Sequence, residues 1–595
     1  MSIPFISSYA EYFSILRKFA GKSMYVLMML SLAVASTDGI GITMLLPLLK
    51  ASDMAGEDEV QRDLFAQVFK FLGIPQTFGW VLGVIGILFL IKGIIKYLEG
   101  YQGAHIRSNL FTKWRTQLLQ YYKNLDYQYY VSKNTGHFTN VINGQVAGAS
   151  QFVLLYSQFS SRALTAIVYL GLAFFLNWRF SIMAIVAGLF VIVVLRGIAT
   201  ETKRISVLNA TEAGVLNKFL IQLLQSFKYL QATARFSYLE KSANESIQRL
   251  SLYQLKVGRL SALLVAVQEP LGMGFMIGIM LYQVNVLNEP LAPLLVVLVL
   301  FYRTMNTLML AQGQWQQVMN LAGSLEVVVR EFEEVGQHQE SNGYVTIPLF
   351  KRVVEFQNVS FAFGKSSVIE DVSFSIPKNT TVALVGESGS GKTTLTDLLS
   401  LLLKPKNGQI YFDDIIANQL ELESWRRKIG FVTQDTVIFD DSIANNITLW
   451  EGEFEVDEDT QQKVRYAAQQ AHCDGFISDL PNGYNTQIGE RGVKLSGGQK
   501  QRLSIARELY KKPEILVLDE ATSALDSESE RYIQESIDAL KGTMTVIIIA
   551  HRLSTIKNAD KIIVLDQGKV KEEGSFEELT AVDTHFRLMA EYQRL

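Results

Sequence analysis

The chain has 595 residues, of which 49% are hydrophobic and 19% are charged. Domains contain roughly 100 to 200 residues, and the charged share is low for a wholly soluble protein, so we expect several domains with one of them in a membrane. A formal charge of -3 lacks the excess of basic residues that attracts phosphates, which disfavours nucleic acid as a partner. The single cysteine, Cys473, forms no internal disulfide, and we expect it to pack in a core in reducing cytosol.

Six apolar runs have about the length that a helix needs to cross a bilayer, which is roughly 20 residues. The first begins near Met24, is too long for the apolar part of a signal peptide and precedes no cleavage site, so we expect it to stay in the membrane. Only residues 177–179 separate the third run from the fourth, which predicts a tight helical hairpin. The runs are 24–49, 78–97, 161–176, 180–198, 260–286 and 290–310. They predict an all-α transmembrane domain with six spans over residues 1–320.

The distribution of Lys and Arg predicts the orientation, because basic residues are retained on the cytoplasmic side. They are abundant in the first 22 residues and in the connection 199–259, whereas the connection after the first span is acidic between Asp53 and Asp63. We expect a multi-pass protein of the cytoplasmic (inner) membrane with its N-terminus in the cytoplasm. The acidic connection contains an amphipathic stretch, 60–72, that lies either on the outer membrane surface or against the protein as an ordinary loop helix.

A polar linker at 321–345 leads into a region, 346–595, where short β-rich runs alternate with helices, as in an α/β domain. In this region a predicted strand, 381–385, is followed by the run GESGSGKT and by a predicted helix. Glycines let backbone N–H groups close around phosphate oxygens at a helix N-terminus, the lysine reaches the β- and γ-phosphates, and the threonine hydroxyl ligates Mg2+. This P-loop is predicted to bind ATP through Gly386, Glu387, Ser388, Gly389, Ser390, Gly391, Lys392, Thr393 and Thr394.

Two carboxylates, Asp519 and Glu520, end a second apolar run that begins at residue 514. We expect Asp519 to hold the Mg2+ shell through water and Glu520 to activate the attacking water in an in-line phosphoryl transfer, for which Lys392 is also catalytic. Apolar runs that end in acids also occur at ordinary strand ends, so this interpretation depends on the P-loop.

The run LSGGQ at 495–499, followed by a predicted helix, resembles the signature motif of ABC ATPases. The resemblance extends over about 354–595 and implies an α/β P-loop ABC ATPase domain with a helical subdomain. Together with the six spans, it implies a type IV ABC exporter-like architecture. Residues 486–492 look like the short exporter-type motif that contacts the ends of the spans, and 523–526 like the D-loop.

The resemblance also assigns roles to three single residues. Gln434 is implied as the Q-loop residue, a catalytic group and Mg2+ ligand that also contacts ATP, and His551 as the catalytic switch histidine. Without the family order, either residue is more readily a structural side chain. Phe363 stands where the family usually has a tyrosine that stacks on adenine, and we expect stacking to survive because the aromatic face is kept.

Family resemblance further implies that ATP lies between the P-loop of one chain and the signature of another. The N-terminal end of the helix after the signature offers N–H donors and the positive end of the helix dipole to a γ-phosphate. The contacts expected across the subunits are Ser496, Gly497, Gly498 and Gln499. One P-loop and one signature predict a homodimer with two ATP sites and twelve spans, and a heterodimer with another chain stays open.

Two long connections, 99–160 and 199–259, show helical periodicity, so we expect helices that extend into the cytosol. By resemblance to exporters, segments 126–134 and 226–234 are coupling helices that transmit ATPase closure in an alternating-access cycle. Each segment is alternatively an ordinary corner between helices.

Charged residues inside the predicted spans point to the cargo, because a charge in lipid is costly and faces a cavity or a partner. Lys92, Lys96 and Arg303 together are suited to a phosphate or pyrophosphate head group. Alternatively, Lys96 extends to the membrane surface and Arg303 pairs with Asp38 or Glu269.

Segments 37–47, 71–75 and 301–305 look like those of bacterial lipid-linked oligosaccharide flippases, which implies Lys92 and Arg303 as substrate contacts. The predicted function is ATP-driven export or flipping of an amphipathic or lipid-linked substrate, with membrane lipids as partners. The alternatives are an exporter of peptides, drugs or other hydrophobic small molecules, and an ATP-gated channel or membrane regulator.

Overall fold

The chain divides into two compact units. The computed structural model describes residues 4–44, 48, 75, 77–133, 135–176, 178–285, 291–520, 526–550, 552, 556–581 and 585–592. The first unit, called the helical unit below, comprises Met1–Asn124 and Lys133–His338. The second, called the α/β unit, comprises Leu125–Ser132 and Gln339–Leu595.

Long helices form nearly all of the described part of the helical unit. In chain order the helices up to residue 337 are α1 (Pro4–Ala20), α2 (Ser23–Thr43), α3 (Phe78–Lys123), α4 (Tyr127–Ser132), α5 (Thr135–Asn140), α6 (Val146–Leu176), α7 (Trp178–Gln225), α8 (Phe227–Ala232), α9 (Phe236–Asn285) and α10 (Leu291–Gln337). A π-helical turn, Val141–Gln145, leads into α6. Of these, only α4 belongs to the α/β unit.

Each of the six predicted spans overlaps one helix, in chain order α2, α3, α6, α7, α9 and α10. Among the described residues, three helical stretches are long and apolar enough to cross a membrane: Ser23–Thr43, Phe78–Lys123 and Thr135–Phe175. The other three spans run through side chains outside the described set. Helices α3, α7 and α9 have 46, 48 and 50 residues. At 1.5 Å per residue they are about 70 Å long, more than twice the ~30 Å hydrocarbon core, so they continue far beyond the spans as predicted.

Close packing joins α2, α6 and α10. A Cβ added to Gly39 of α2 would lie 2.5 Å from Leu172 Cδ1 of α6, so glycine permits this approach. Ile42, Tyr169 and Leu300, one from each helix, are buried in a shared apolar cluster. These contacts fix the faces that the three helices turn toward one another.

Helix α1 was not among the predicted elements. Its Tyr12 and Leu16 are buried, and Phe19 meets Trp114 of α3 edge to face with ring centroids 5.4 Å apart. The spacing of these residues is that of one helix face, so periodicity contained the signal. The amphipathic stretch predicted at 60–72 lies outside the described residues.

Two sheets organise the α/β unit. A four-stranded antiparallel sheet has the order β2-β1-β4-β5, and a six-stranded sheet has the order β10-β9-β3-β8-β7-β6 with β10 antiparallel at its edge. The strands are β1 (Val353–Phe363), β2 (Ser366–Pro377), β3 (Thr381–Gly386), β4 (Asn407–Phe412), β5 (Ile415–Ile416), β6 (Ile429–Val432), β7 (Ile515–Asp519), β8 (Thr545–Ile549), β9 (Lys561–Asp566) and β10 (Lys569–Gly574). Every residue of β3, β7 and β8 is buried, which explains their unbroken apolar runs.

Besides α4, the α/β unit contains nine described α-helices, of which those between residues 443 and 510 form the predicted helical subdomain between β6 and β7. They are α11 (Lys392–Leu399), α12 (Leu422–Arg426), α13 (Ile443–Thr448), α14 (Glu458–Gln470), α15 (Asp474–Ser478), α16 (Gly497–Tyr510), α17 (Ser527–Leu540), α18 (Phe576–Ala581) and α19 (His585–Tyr592). Cys473 is completely buried in the apolar core of this region, and burial raises the pKa of its thiol to about 12. The cysteine is therefore a packing residue, as predicted.

The segment Leu125–Ser132 comes from the chain between α3 and α5 but is part of the α/β unit. Leu125 forms a β-bridge with Gln339, and Tyr127 packs against the apolar core around β1 and β2. Asp126 Oδ1 accepts a hydrogen bond of 2.7 Å from the Gln128 amide at the start of α4. The fold therefore ties one of the two predicted coupling segments to the α/β unit.

Candidate functional sites

The P-loop connects β3 to α11 through backbone conformations that require glycine. Gly389 and Gly391 have φ values of 81° and 103°, in the left-handed region. A Cβ on Gly386 would lie 2.2 Å from the Leu565 carbonyl oxygen, and one on Gly391 would lie 2.4 Å from Ile369 Cδ1. The loop can therefore close tightly at the N-terminus of α11, as an anion-binding loop must.

Lys392, the first residue of α11, is buried inside this loop with 6% of its surface exposed. Its Nζ donates hydrogen bonds of 2.8 Å to the carbonyl oxygens of Gly386 and Glu387. Burial lowers the pKa of the ammonium group, and the nearby carboxylates of Glu520 and Asp519 oppose that shift. The Lys392 ammonium group is thus hydrogen-bonded to neutral carbonyl groups of the P-loop.

Those predicted metal and catalytic residues that the structure describes meet beside the P-loop at the carboxyl ends of β6 and β7. Thr393 Oγ1 donates to Asp519 Oδ2 at 3.4 Å, and Gln434 Nε2 donates to Glu520 Oε2 at 2.7 Å. Glu520 has a φ of 47° and its amide donates to the Ile549 carbonyl at 3.0 Å. A left-handed conformation is unfavourable for glutamate, and such strain is found at functional sites.

The P-loop residues fit a nucleotide phosphate chain. The hydroxyl of Ser390 is buried and has no hydrogen-bond partner in the described structure, although a buried hydroxyl normally has one. Ser390 lies in the P-loop, whose glycines allow a phosphate group to approach the backbone closely. A phosphate oxygen is the acceptor that this donor lacks, and Thr393, Gln434 and Asp519 supply oxygen atoms suited to Mg2+.

Phe363, predicted to stack on adenine, ends β1 and is 44% exposed. Its ring meets Phe361 edge to face at 4.9 Å, which leaves a ring face open to solvent. The structure thus presents an aromatic surface at this strand end, and its role in adenine binding remains a prediction.

The signature segment begins α16. Ser496 Oγ accepts from the Gln499 amide at 3.3 Å and Gln499 Oε1 accepts from the Ser496 amide at 2.9 Å, so these two side chains form a capping box. A Cβ on Gly498 would lie 2.1 Å from Ser529 Oγ, which means that α17 packs directly on this turn. Two of the four predicted signature contacts, Ser496 and Gln499, therefore hold the helix start in shape within their own chain.

Part of the predicted ATPase machinery lies outside the described residues. This applies to the switch residue His551 and to residues 523–525 of the predicted D-loop. The last D-loop residue, Asp526, is described and caps α17 by accepting from the Ser529 amide at 3.4 Å. The exporter-type segment contains Gly489, Arg491 and Gly492 with positive φ, which gives it a tightly folded backbone.

Sequence reasoning missed a carboxyl group near the predicted metal site. Burial and the charge of Asp519 raise the pKa of Asp397, on α11, to about 6. The pKa of Tyr127 from α4 is raised by burial and by the charge of Asp397. Asp397 comes four residues after Thr393, one helical turn, which is the signal that could have identified it.

The helical unit contains a cavity of about 670 Å³ that both predicted substrate residues line. Asp38 Oδ1 forms ion pairs with Lys92 Nζ and, at 3.4 Å, with Arg303 Nη1, and Asp38 Oδ2 accepts from the Tyr169 hydroxyl. The predicted ion pair between Arg303 and Asp38 is therefore present. The side chain of Glu269, the alternative partner, lies outside the described set.

Other charged groups line the same cavity. Lys96 and Arg162 make no ion pair with any described residue. Glu99 accepts hydrogen bonds from Ser31 Oγ at 2.6 Å and Ser161 Oγ at 2.5 Å. Four cations and two carboxylates give the described lining an excess of two positive charges.

A helical membrane unit fused to a P-loop domain with a signature segment defines an ATP-driven membrane transporter. Residues 26–309 match the family model "ABC transporter transmembrane region", and residues 369–523 match the model "ABC transporter". The chain belongs to the ABC transporter family and is an ATP-hydrolysing transporter of the exporter type, with transmembrane and ATPase domains fused.

Several relatives span most of the chain. It is 32% identical over 499 residues to the heterocyst differentiation ATP-binding protein HepA of Nostoc sp., covering 82% of this chain and 80% of that protein. It is 31% identical over 521 residues to the ATP-dependent lipid A-core flippase of Shewanella oneidensis, covering 83% of each chain. The flippase of the same name from Bordetella avium is 31% identical over 530 residues, covering 86% and 87%.

A solved structure shares the fold. The structure of a bacterial Atm1-family ABC exporter with ATP bound has a TM-score of 0.76, with 24% identity over 98% of this chain and 100% of that one. The predicted exporter-type architecture is confirmed.

Proposed function

We propose that the chain forms a homodimer that uses ATP to move an anionic amphiphile, such as a lipid with a phosphate head group, across the cytoplasmic membrane. The observation that carries the proposal is the cavity in the helical unit, with its excess of two positive charges. Charged side chains within a membrane domain are costly, so their concentration around one cavity indicates a polar or charged cargo. Relatives that are named lipid A-core flippases support an amphiphilic substrate.

At the ATP site, Phe363 stacks on adenine, and Lys392 with the P-loop residues 386–394 binds the phosphates. Lys392 exchanges its two carbonyl bonds for phosphate oxygens, which is favourable because the ammonium group is already desolvated. Thr393, Gln434 and Asp519, the last through water, hold Mg2+, which offsets phosphate charge when bound.

Glu520 is the general base, and Gln434 orients its carboxylate through the 2.7 Å hydrogen bond between their side chains. His551 contacts the γ-phosphate as the switch histidine. Across the dimer, the start of α16 at Ser496, Gly497, Gly498 and Gln499 completes the opposite ATP site with N–H donors and the positive helix end.

Closure of the two ATP sites is transmitted through α4, because this segment is covalently part of the membrane domain yet packs in the α/β unit. The α/β unit and the N-terminus lie in the cytoplasm, as the basic connections predict. The cavity then alternates between the two sides of the membrane.

The proposal is tested with purified protein reconstituted into phosphatidylcholine vesicles that contain a fluorescent phosphatidic acid. We expect ATP-dependent transfer of the labelled lipid between leaflets, and ATP hydrolysis that rises with phosphatidic acid content but not with phosphatidylcholine. Arg303→Ala is expected to reduce the stimulation at least about tenfold, since it removes a charged contact in the cavity. The matched control is Arg330→Ala, which changes the same residue type on α10 away from the cavity lining.

Two outcomes would contradict this function. ATP-gated leakage of ions without lipid transfer would favour a channel. Stimulation by uncharged drugs or peptides, with no response to anionic lipid, would favour a different exporter class. Equal loss of stimulated hydrolysis in both arginine variants would show that Arg303 is not a specific contact.

A further inference from the structure

Asp38 occupies an unusual place in the cavity of the helical unit. The residue is only 6% exposed. A buried carboxylate is costly to desolvate unless cations or hydrogen-bond donors compensate its charge. Its partners come from three different helices: Lys92 from α3, Tyr169 from α6 and Arg303 from α10. One carboxylate on α2 thus pairs with both cations that the sequence indicates as substrate contacts and offsets one of their two charges.

The second carboxylate of the cavity is used differently. Glu99 accepts from the hydroxyls of Ser31 and Ser161 and makes no ion pair with a described residue. Both neutral hydroxyls donate to Glu99 Oε1, and neither cancels a cation. Asp38 is therefore the carboxylate that lowers the positive electrostatic potential at Lys92 and Arg303.

A ligand that binds Lys92 and Arg303 must compete with Asp38. The side chain is tethered to α2, so its effective concentration at these cations is in the millimolar range or above. Replacement of a tethered single charge by a ligand group with a single charge gains no Coulomb energy. A phosphomonoester carries about -1.5 to -2 charges at pH 7 and has three strong acceptor oxygens, so it can displace the carboxylate with a net gain.

We propose that Asp38 is a built-in counter-ion that makes the cavity select ligand groups with more than one negative charge, such as phosphomonoesters or pyrophosphates, over groups with a single charge. This inference rests on the proposed function and adds the basis of its head-group specificity. When the ligand group binds, Asp38 keeps the hydrogen bond from Tyr169 and gives up the cations.

The test compares two lipids with identical acyl chains in phosphatidylcholine nanodiscs at pH 8. Dioleoyl phosphatidic acid has a phosphomonoester, and dioleoyl phosphatidylglycerol has a phosphodiester with one charge. The measured quantity is the mole fraction of each lipid that half-maximally stimulates ATP hydrolysis. Wild-type protein is expected to respond to phosphatidic acid at least about tenfold more sensitively than to phosphatidylglycerol.

Asp38→Asn keeps the size of the side chain and an acceptor for Tyr169, and it removes the competing charge. We expect the response to phosphatidylglycerol to become about tenfold more sensitive while that to phosphatidic acid changes less, so that the selectivity disappears. Tyr169→Phe has the opposite effect, because a carboxylate without its hydroxyl donor holds the cations more strongly. This second variant decides the question if Asp38→Asn fails to fold.

Glu99→Gln is the matched control, since it removes a cavity carboxylate that pairs with hydroxyls and should leave the selectivity as in wild type. Wild-type selectivity in well-folded Asp38→Asn would overturn the inference and leave the proposed function standing. An equal shift in Glu99→Gln would also overturn it, because a general charge effect would then explain both. If neither anionic lipid stimulates the wild-type protein, the proposed function fails and the inference fails with it.

Discussion

A single methyl group at Gly498 is expected to disrupt the signature segment through packing inside one subunit. An alanine Cβ at this position would lie 2.1 Å from Ser529 Oγ and 2.6 Å from Ser529 Cβ. Non-bonded atoms prefer about 3.5 to 4.0 Å, so the first turn of α16 and the start of α17 must separate by about 1 Å or more. Overpacking of this kind costs about 1 to 3 kcal/mol, which lowers the Tm of a domain of this size by about 2 to 12 °C.

The same displacement should reduce ATP hydrolysis, because a shift of about 1 Å in a catalytic arrangement can cost roughly 100-fold. The decisive measurement is the double variant. Ser529→Gly removes both atoms that the new methyl group would strike, so Gly498→Ala with Ser529→Gly should recover most of the lost Tm and activity. Thermal unfolding and Mg-ATP hydrolysis of the purified full-length protein report the two quantities.

Gly475→Ala in α15 is the control, since a Cβ there meets nothing within 4 Å. This variant should unfold at or above the wild-type temperature, because alanine is the better helix former. Wild-type Tm and activity in Gly498→Ala would refute the packing argument. Loss of activity that Ser529→Gly does not relieve would show instead that the glycine is needed for close contact with nucleotide.

Three further expectations concern the ATP site and its link to the membrane domain. Glu520→Gln should bind ATP and trap closed dimers while turnover falls about 100-fold or more, and undiminished turnover would exclude Glu520 as the base. Burial and the charge of Asp519 raise the pKa of Asp397 from 3.8 to about 6, so the folded state is penalised increasingly as the pH rises from 4 to 6 and by a constant amount above pH 6. Asp397→Asn should therefore raise the free energy of unfolding by about 1 to 3 kcal/mol at pH 7.5 and by less near pH 5, as thermal unfolding would measure. Tyr127→Ala should bring the ratio of lipid-stimulated to basal hydrolysis close to one, whereas Tyr130→Ala, a more exposed neighbour on α4, should keep the wild-type ratio.

Local patterns predicted the features that local physics determines. The P-loop could be placed because its glycines, lysine and threonine must occupy fixed positions between a strand and a helix. The spans could be placed because a bilayer sets a minimum apolar length, and each of the six overlaps a helix of the structure. The linker predicted at 321–345 was wrong in its first part, because α10 continues through these residues to Gln337. Charged residues on an exposed helix face have the same composition as a linker, so composition could not separate the two.

Contacts between distant parts of the chain were not predictable in the same way. Sequence considerations paired Arg303 with Asp38 as one alternative and assigned Lys92 to substrate as another. The structure brings all three together with Tyr169, across separations of 54, 131 and 265 residues from Asp38. Hydropathy gives the length of a span but not the rotation of the helix about its axis, which depends on packing such as that at Gly39.

The two candidate sites hold their cations in opposite ways, and this difference suits their tasks. Lys392 donates its hydrogen bonds to carbonyl oxygens, with the carboxylates of Glu520 and Asp519 only nearby, so most of its charge remains available to a phosphate, as tight ATP binding requires. Lys92 and Arg303 are held by Asp38, a full negative charge, so any anion that binds them displaces an existing ion pair and gains less. A transporter must release its cargo in every cycle, and a site with a resident counter-ion lowers the cost of release because the carboxylate takes the cations back. The ATP site needs no such device, since hydrolysis itself removes the γ-phosphate.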